Sequence, residues 1–513
     1  MAESVRGEAR GEARGAGGTD TGGGETSGVR RQWTGIVLGP VLAVLTYLLL
    51  PTSLSPDGRV TAAVAVLMAV WWVTEALPLA VTALLPLVLF PFLGVGEIGE
   101  VAAPYADDII FLFMGGFLIA LAMQRWNLHR RIALRTVLAV GTGPVRLVAG
   151  FMLATAFISM WVSNTATAVM MLPIGVSVLG LVSQLGDGEG DANFATALML
   201  GIAYAASIGS LATIIGTPPN TLLVGYLEEN FDITLTFGEW MLFGLPVSAV
   251  FLVLAWLVLT RVVFRPRLRS LPGGRELIRG QLREMGRMSR GERNALAVFV
   301  LAAVSWIAIP ALADVDAVAG AVPWLGNVSD AGIAMTAAVV LFLLPVDARA
   351  GVRTLDWDTA KTLPWGILLL FGGGLSLSTR FTDTGLSEWI GEQVGGLSVL
   401  PLILLAAAAA LLVLILTELT SNTATAAAFL PILGGVAVGL GHGPMVLAVP
   451  AAMAATCAFM LPVATPPNAI VFGSGHVRIG QMIRGGVLLN VLGLVLITLA
   501  AYTLGAWVLG LAY

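Results

Sequence analysis

The chain has 513 residues, of which 57% are hydrophobic and only 11% charged, and its mean hydropathy is +0.90. A soluble domain carries about 25% charged residues, so this composition excludes a soluble globular protein and points to a polytopic helical membrane protein. The net charge of −4 favours no class of partner, the single Cys457 excludes an intramolecular disulfide, and three scattered histidines (His129, His442, His476) make no metal cluster.

Residues 1–32 carry R-G-E-A-R-G-E-A-R-G and T-G-G-G-E-T-S-G and are expected to form a disordered cytoplasmic tail, because so polar and Gly-rich a segment buries no core. No short apolar stretch with a small-residue cleavage site follows the basic start, so a signal peptide is not expected. Apolar spans are predicted at 33–50, 59–77, 79–94 and 108–125, in a long run at 144–182, and at 193–226 and 242–264. After a polar break come 294–313, 331–345, 365–380, a second long run at 399–439, then 444–474 and 485–511. Each long run is two crossings or one re-entrant hairpin, and either returns the chain to the side it left. The expected fold is all-α and polytopic, with about 11 transmembrane helices plus two re-entrant hairpins.

Charge sets the orientation. Between Arg261 and Arg293 lie ten arginines against Glu276, Glu284 and Glu292, which places this linker in the cytoplasm by the positive-inside rule. Arg30, Arg31 and the segment Q-R-W-N-L-H-R-R after the fourth span fall on the same side, whereas the acidic A-D-V-D-A-V-A-G falls outside. The expected placement is the inner (cell) membrane, with a cytoplasmic N-terminus and an external C-terminus. Arg275, Arg279, Arg283 and Arg287 recur every four residues and read as a membrane-surface helix near anionic lipid rather than a nucleic-acid binder.

Three landmarks occur twice in one order. S-N-T-A-T-A stands at 163–168 and 421–426, 258 residues apart. F-M-G-G (113–116) and L-F-G-G (370–373) precede the two copies, and I-G-T-P-P-N (215–220) and V-A-T-P-P-N (463–468) follow them. Such agreement means duplication. Each copy holds an odd number of crossings, so the second is inverted in the membrane, the signature of secondary transporters with midplane sites at interrupted helices.

The duplicated motifs carry the chemistry. Ser163-Asn164-Thr165 and Ser421-Asn422-Thr423 interrupt apolar runs, where a helix end leaves carbonyls without donors and the next start leaves N–H groups without acceptors. The carbonyl end with its hydroxyl and amide oxygens suits a small hard cation; the N–H end suits a carboxylate or other oxyanion. Pro218 and Pro219 cannot donate to the carbonyls of Ile214 and Ile215, nor Pro466 and Pro467 to those of Pro462 and Val463, so each T-P-P unwinds its helix. Gly216 and Ala464 are small enough to let an ion approach the backbone. No Lys, Arg or His lies at these motifs. Glu418, the one nearby acid, is read as structural rather than as a ligand. A dianion would then bind with help from helix ends and co-bound cations, which points to cation-coupled anion transport. Turn residues at the membrane surface would look alike in one copy but do not explain two. Glu75, in W-W-V-T-E-A-L-P, is expected at an interface or subunit contact, with Trp71 and Trp72 in an aromatic belt. A membrane enzyme would need a nucleophile–base pair or metal ligands, and the spans contain none; a channel is the other conceivable transport class.

At these residues the chain resembles the divalent anion–sodium symporter family, carriers of dicarboxylates, citrate or sulfate. The paired S-N-T and T-P-P-N motifs and the W-W-x-T-E-A-x-P segment carry the resemblance over roughly residues 33–513. The family usually has Ser where this chain has Thr456. The resemblance implies a homodimer working by an elevator movement, with no nucleic-acid partner. Scaffold helices and an arm would occupy 33–142 and 294–397, transport-domain halves 143–260 and 398–513, and the basic linker 261–293. It further implies a first sodium site at Ser159, Ser163, Asn164 and backbone around Gly216, and a second at Thr417, Ser421, Asn422 and backbone around Ala464. The substrate would meet Asn164, Thr165, Thr217 and Pro218 on one side and Asn422, Thr423, Thr465 and Pro466 on the other. The expected activity is sodium-coupled symport of a C4-dicarboxylate (succinate, malate or fumarate). Sulfate or tricarboxylate carriage, or sodium-independent exchange, are the alternatives.

Overall fold

The computed structural model describes residues 22–141, 143–185, 191–268, 270–313, 315–393, 396 and 400–511. The chain runs α1 (Gly22–Leu49), α2 (Pro56–Thr74), α3 (Leu85–Leu93), α4 (Asp108–Arg125) and α5 (Leu128–Val140). The first hairpin follows as α6 (Pro144–Ser159) and α7 (Asn164–Leu185), and the first broken helix as α8 (Ala192–Ser210) and α9 (Pro218–Phe231). Then come α10 (Phe237–Leu257), α11 (Gly274–Glu284), α12 (Arg290–Ala313), α13 (Asp330–Leu343), α14 (Trp365–Asp383) and α15 (Leu386–Gln393). The second hairpin is α16 (Leu402–Thr417) and α17 (Asn422–Gly439), the second broken helix α18 (Met445–Ala455) and α19 (Pro466–Gly473), and α20 spans Ile479–Ala500. A two-stranded turn pairs Pro345–Asp347 with Val352–Arg353.

Helix length divides each long apolar run unequally. At 1.5 Å per residue, the 16 residues of α6 and of α16 reach only about 24 Å, short of the roughly 30 Å hydrocarbon core. The second arms, α7 and α17, run 22 and 18 residues and are long enough to cross, so each run is a hairpin of one short and one long arm meeting at a short polar tip. Residues 22–32, assigned to a disordered tail, are the first turns of α1; the apolar stretch that follows nucleates a helix which propagates back over them. Residues 1–21 lie outside the described residues. The basic linker likewise contains a helix, α11, which turns Ile278 inward and leaves Arg275, Arg279 and Arg283 exposed; Arg287, also exposed, lies past its end.

Burial separates inner from outer helices. From Thr196 to Ser210, α8 is buried around its whole circumference, so it stands at the centre of the molecule. α10 and α12 present Leu242, Val250 and Val253, and Leu301, Val304 and Ile307, outward, as helices facing lipid must. The repeated glycine pairs serve close helix packing. A Cβ on Gly115 would lie 2.6 Å from the Ala334 backbone of α13, and one on Gly373 would lie 2.3 Å from the Ala83 carbonyl. The halves interlock: α9 packs on α17 and α18, and α19 on α7 and α8, so the stretch after each break rests on the other copy's elements.

One sequence reading is corrected at α2. Trp72 is 1% exposed and donates its indole N–H to the Leu79 carbonyl, so it is a core residue; its polar atom is satisfied inside the protein, not at a lipid interface. Trp71, half-buried, donates to Gly35 O and ties α1 to α2. Glu75 is exposed and closes α2 in the left-handed conformation, φ 51°.

Candidate site at the two tips and breaks

In the first half, Ser159, the last residue of α6, donates its hydroxyl to Asn164 Oδ1 at 2.5 Å. Asn164, the first residue of α7, donates Nδ2 to Ser210 Oγ at 3.2 Å, which fastens the tip to the end of α8. Thr213, in the unwound stretch, donates Oγ1 to the Met160 carbonyl at 2.5 Å. Ser163 accepts the Ala166 N–H and caps α7.

The second half repeats this constellation. Thr417 donates to Asn422 Oδ1 at 2.7 Å, with the five-residue spacing of Ser159 and Asn164, and also contacts Ala455 O at 2.7 Å. Ser421 caps α17 without a side-chain hydrogen bond, so no capping side chain takes that helix's first amide hydrogens. The two breaks meet at Thr217 and Thr456, whose hydroxyls lie 3.4 Å apart. All four interruptions therefore converge on one region.

The predicted residues differ in exposure. Ser159, Thr417, Thr217, Thr465, Gly216 and Ala464 are buried; Ser163, Asn164, Pro218, Ser421, Asn422 and Thr423 are half-buried; Thr165 and Pro466 are exposed. Among the described residues, Thr165 and Thr423 engage no partner through their side chains, and their hydroxyls remain free to meet a ligand.

Sequence reasoning missed the residues that hold the breaks open. Asn220 donates Nδ2 to the carbonyls of Thr213 (2.9 Å), Ser210 (3.4 Å) and Leu211 (3.5 Å), and Thr221 donates to Ile214 O at 2.8 Å. Its counterpart Asn468 donates to Ala458 O and Leu461 O, each at 3.0 Å. The two amides tie together carbonyls of the unwound stretches, while Thr221 reaches one of the carbonyls the prolines leave free, that of Ile214. Asn220 Oδ1 and Asn468 Oδ1 are themselves buried without a hydrogen-bond partner. The terminal N of each T-P-P-N was the available signal.

Glu418 acts on its own half. Its carboxylate, 5% exposed, accepts N–H from Phe459 (2.8 Å), Met460 (3.0 Å) and Leu461 (3.2 Å), and Asn490 Nδ2 at 2.6 Å. It anchors the unwound segment, and its oxygens are taken.

Gly216 is needed for backbone packing as well. A Cβ there would stand 2.3 Å from Ser210 O and 3.0 Å from Ser210 Cα, main-chain atoms that cannot swing aside. Gly216→Ala is expected to lower thermal stability and abolish the stabilisation given by added sodium, whereas Ala464→Gly, which only removes a methyl, leaves both nearly unchanged. Melting curves with and without sodium check this; equal curves for Gly216→Ala and the parent would disprove the tight fit.

Residues 30–511 match the family description "Sodium:sulfate symporter transmembrane region". The chain belongs to the divalent anion–sodium symporter family. As a member it is a multi-pass membrane transporter and not an enzyme, and sodium is the family's co-transported ion. It is 45% identical over 491 residues to the sodium-dependent dicarboxylate transporter SdcS of Staphylococcus saprophyticus, covering 94% of this chain and 92% of that one. The SdcS of Staphylococcus aureus (strain USA300) is 43% identical over 486 residues, with the same coverage. In fold, this symporter is similar to the YdaH transporter of Alcanivorax borkumensis (TM-score 0.58, 16% identity, 86% of this chain and 98% of that one). It is also similar to MtrF of Neisseria gonorrhoeae (TM-score 0.55, 14% identity, 94% and 96%).

Proposed function

We propose that this symporter carries a C4-dicarboxylate such as succinate, malate or fumarate, together with sodium, by an elevator-type alternating-access movement in a homodimer. The observation that carries the reading is the duplicated hydroxyl–amide pair, Ser159 with Asn164 and Thr417 with Asn422, at tips joined through Thr217 and Thr456. In each pair a hydroxyl and an amide oxygen already sit within hydrogen-bond reach, and a sodium ion inserted between them would replace a hydroxyl hydrogen as the shared electrophile. Ser163 and the backbone at Gly216 would complete the first sodium site, Ser421 and the backbone at Ala464 the second. Asn164, Thr165, Thr217 and Pro218 would face the substrate from one half, Asn422, Thr423, Thr465 and Pro466 from the other.

With no Lys, Arg or His at the motifs, the dianion's charge is balanced by the two cations and by the N-terminal dipoles of α7 and α17. Binding of cation and anion is thereby interdependent, which is what symport requires. Residues 143–260 and 398–513 would form the moving transport domain, and residues 33–142 and 294–397 the fixed scaffold. The basic linker and the N-terminus would lie in the cytoplasm and the C-terminus outside the inner membrane. Dicarboxylate is favoured by the substrate in the name of the two SdcS relatives.

In proteoliposomes, replacing external sodium by choline is expected to stop labelled succinate uptake, and uptake that continues undiminished overturns the coupling. Sulfate is the second reading, favoured by the description of the matching family. Competition against labelled succinate separates them: inhibition by fumarate but not by sulfate supports the dicarboxylate, and the reverse supports sulfate.

A further inference from the structure

A cavity of about 500 Å3 lies between α5, α7 and α11 and begins at Ala166, directly after the first tip. Its wall on α7 runs from Ala166 through Val169, Met170 and Pro173 to Ser177, one face of the helix that begins at the first tip. That face covers about 16 Å along the helix axis. The rest of its lining is mostly polar, with Gln124, Asn127, Arg130 and Gln281. A second cavity of about 480 Å3 adjoins it at Asn127, Arg130 and Gln281 and continues toward the basic linker.

The charges of this region are not equivalent. Arg125 is paired with Asp356 at 2.5 Å, and buried Arg131 with Glu292 at 2.6 Å. Half-buried Arg130 lines both cavities and makes no ion pair among the described residues. No carboxylate lines the first cavity; the second is bordered by Glu292, already engaged by Arg131, and by exposed Glu284. His129 adds no charge. Burial, reinforced by the neighbouring Arg130, holds its imidazole below the usual histidine range, and Nδ1–H donates to Met123 O at 3.2 Å. The first turn of α5 also lacks a side-chain cap beside the same cavity, Asn127 standing there with φ 56°, so its amide hydrogens add positive potential. An unpaired guanidinium, a helix start and three primary amides, with no acid in the first cavity, form a cradle for a doubly charged oxyanion.

We infer that this cavity is a second, weaker binding site for the transported dianion, where Arg130 holds it between the first tip and the cytoplasm. The inference rests on the proposed transport reading. The α7 wall from Ala166 to Ile174 is apolar, so Arg130 is the cation that an anion meets inside the cavity beside the first tip. It draws anion to the cytoplasmic mouth and sets the affinity seen from that side only.

The experiment is succinate exchange in proteoliposomes of zwitterionic lipid, with sodium saturating on both faces and half-saturation measured from each. Arg130→Gln is expected to raise the cytoplasmic half-saturating concentration about 3- to 10-fold with the external value unchanged, and Arg130→Lys to restore part of it. Equal change on both faces, no change on either, or an effect confined to vesicles containing anionic lipid overturns the inference; the last assigns the cavity to a lipid headgroup. If the parent protein exchanges no succinate, the dicarboxylate reading has failed, and thermal shift decides the cavity separately. In a protein carrying Asn164→Ala and Asn422→Ala, millimolar sulfate is expected to raise the melting temperature unless Arg130→Gln is added; the same rise with Arg130→Gln, or no rise at all, overturns the inference.

Discussion

Asn164→Ala and Asn422→Ala are each expected to lower sodium-driven uptake about 10- to 100-fold while the protein remains folded. Each asparagine stands at the junction of a hairpin and is only half-buried, so its removal opens no large core cavity. Asn164 links Ser159 on one arm to Ser210 at the end of α8, and Asn422 accepts from Thr417. In the proposed site each amide faces both a cation and the anion, and a hydrogen bond or ion contact to a charged group contributes about 1.5–3 kcal/mol. At 1.4 kcal/mol per factor of ten, that loss spans the stated range. Uptake in proteoliposomes gives the activity, and size-exclusion profile and melting temperature give the folding control. The two substitutions should also weaken the dependence on sodium concentration, because each removes an oxygen from a cation site. Normal uptake by either variant would mean that the tips are structural turns and that the substrate binds elsewhere.

The architecture was readable in the sequence where duplication supplied an internal control. A lone S-N-T or T-P-P-N is indistinguishable from a surface turn; two inverted copies at matched offsets are not, and the structure brings their tips and breaks together through Asn164, Ser210, Thr217 and Thr456. Features that depend on distant partners were not readable. The roles of Asn220 and Asn468 follow from which carbonyls their amides reach across an unwound turn, and no periodicity reports that. Trp72 was placed with Trp71 in an aromatic belt, yet its indole N–H finds a carbonyl seven residues on and the ring sinks into the core. Arg130 stood out no more than its neighbours in Q-R-W-N-L-H-R-R until Arg125 and Arg131 were seen to be spent on Asp356 and Glu292. Glu418 was read as structural from its place beside the second tip, but its reach to three consecutive amides required the fold.

Glu418→Ala should be the most destabilising single change in the transport elements. The carboxylate is buried and satisfies three backbone N–H groups and the Asn490 side chain. In the first half the equivalent place is Met160, whose carbonyl accepts the Thr213 hydroxyl, so the second break depends on a carboxylate anchor that the first does without. Removing it strands donors in a dry environment, each at about 1–3 kcal/mol, and some are re-satisfied by movement of the unwound segment. A net loss of about 3–6 kcal/mol is expected. Glu418→Gln is the sharper test, because it keeps size and one carbonyl oxygen while turning an NH2 toward N–H groups that need acceptors. It too should lower the melting temperature, by the same amount with and without sodium. A sodium ligand would behave differently: Glu418→Gln would melt normally in sodium-free buffer and lose only the rise that sodium produces. That second pattern would move Glu418 from the framework into the ion site and add a negative charge to the cation's surroundings, which would change the charge balance on which the proposed coupling depends.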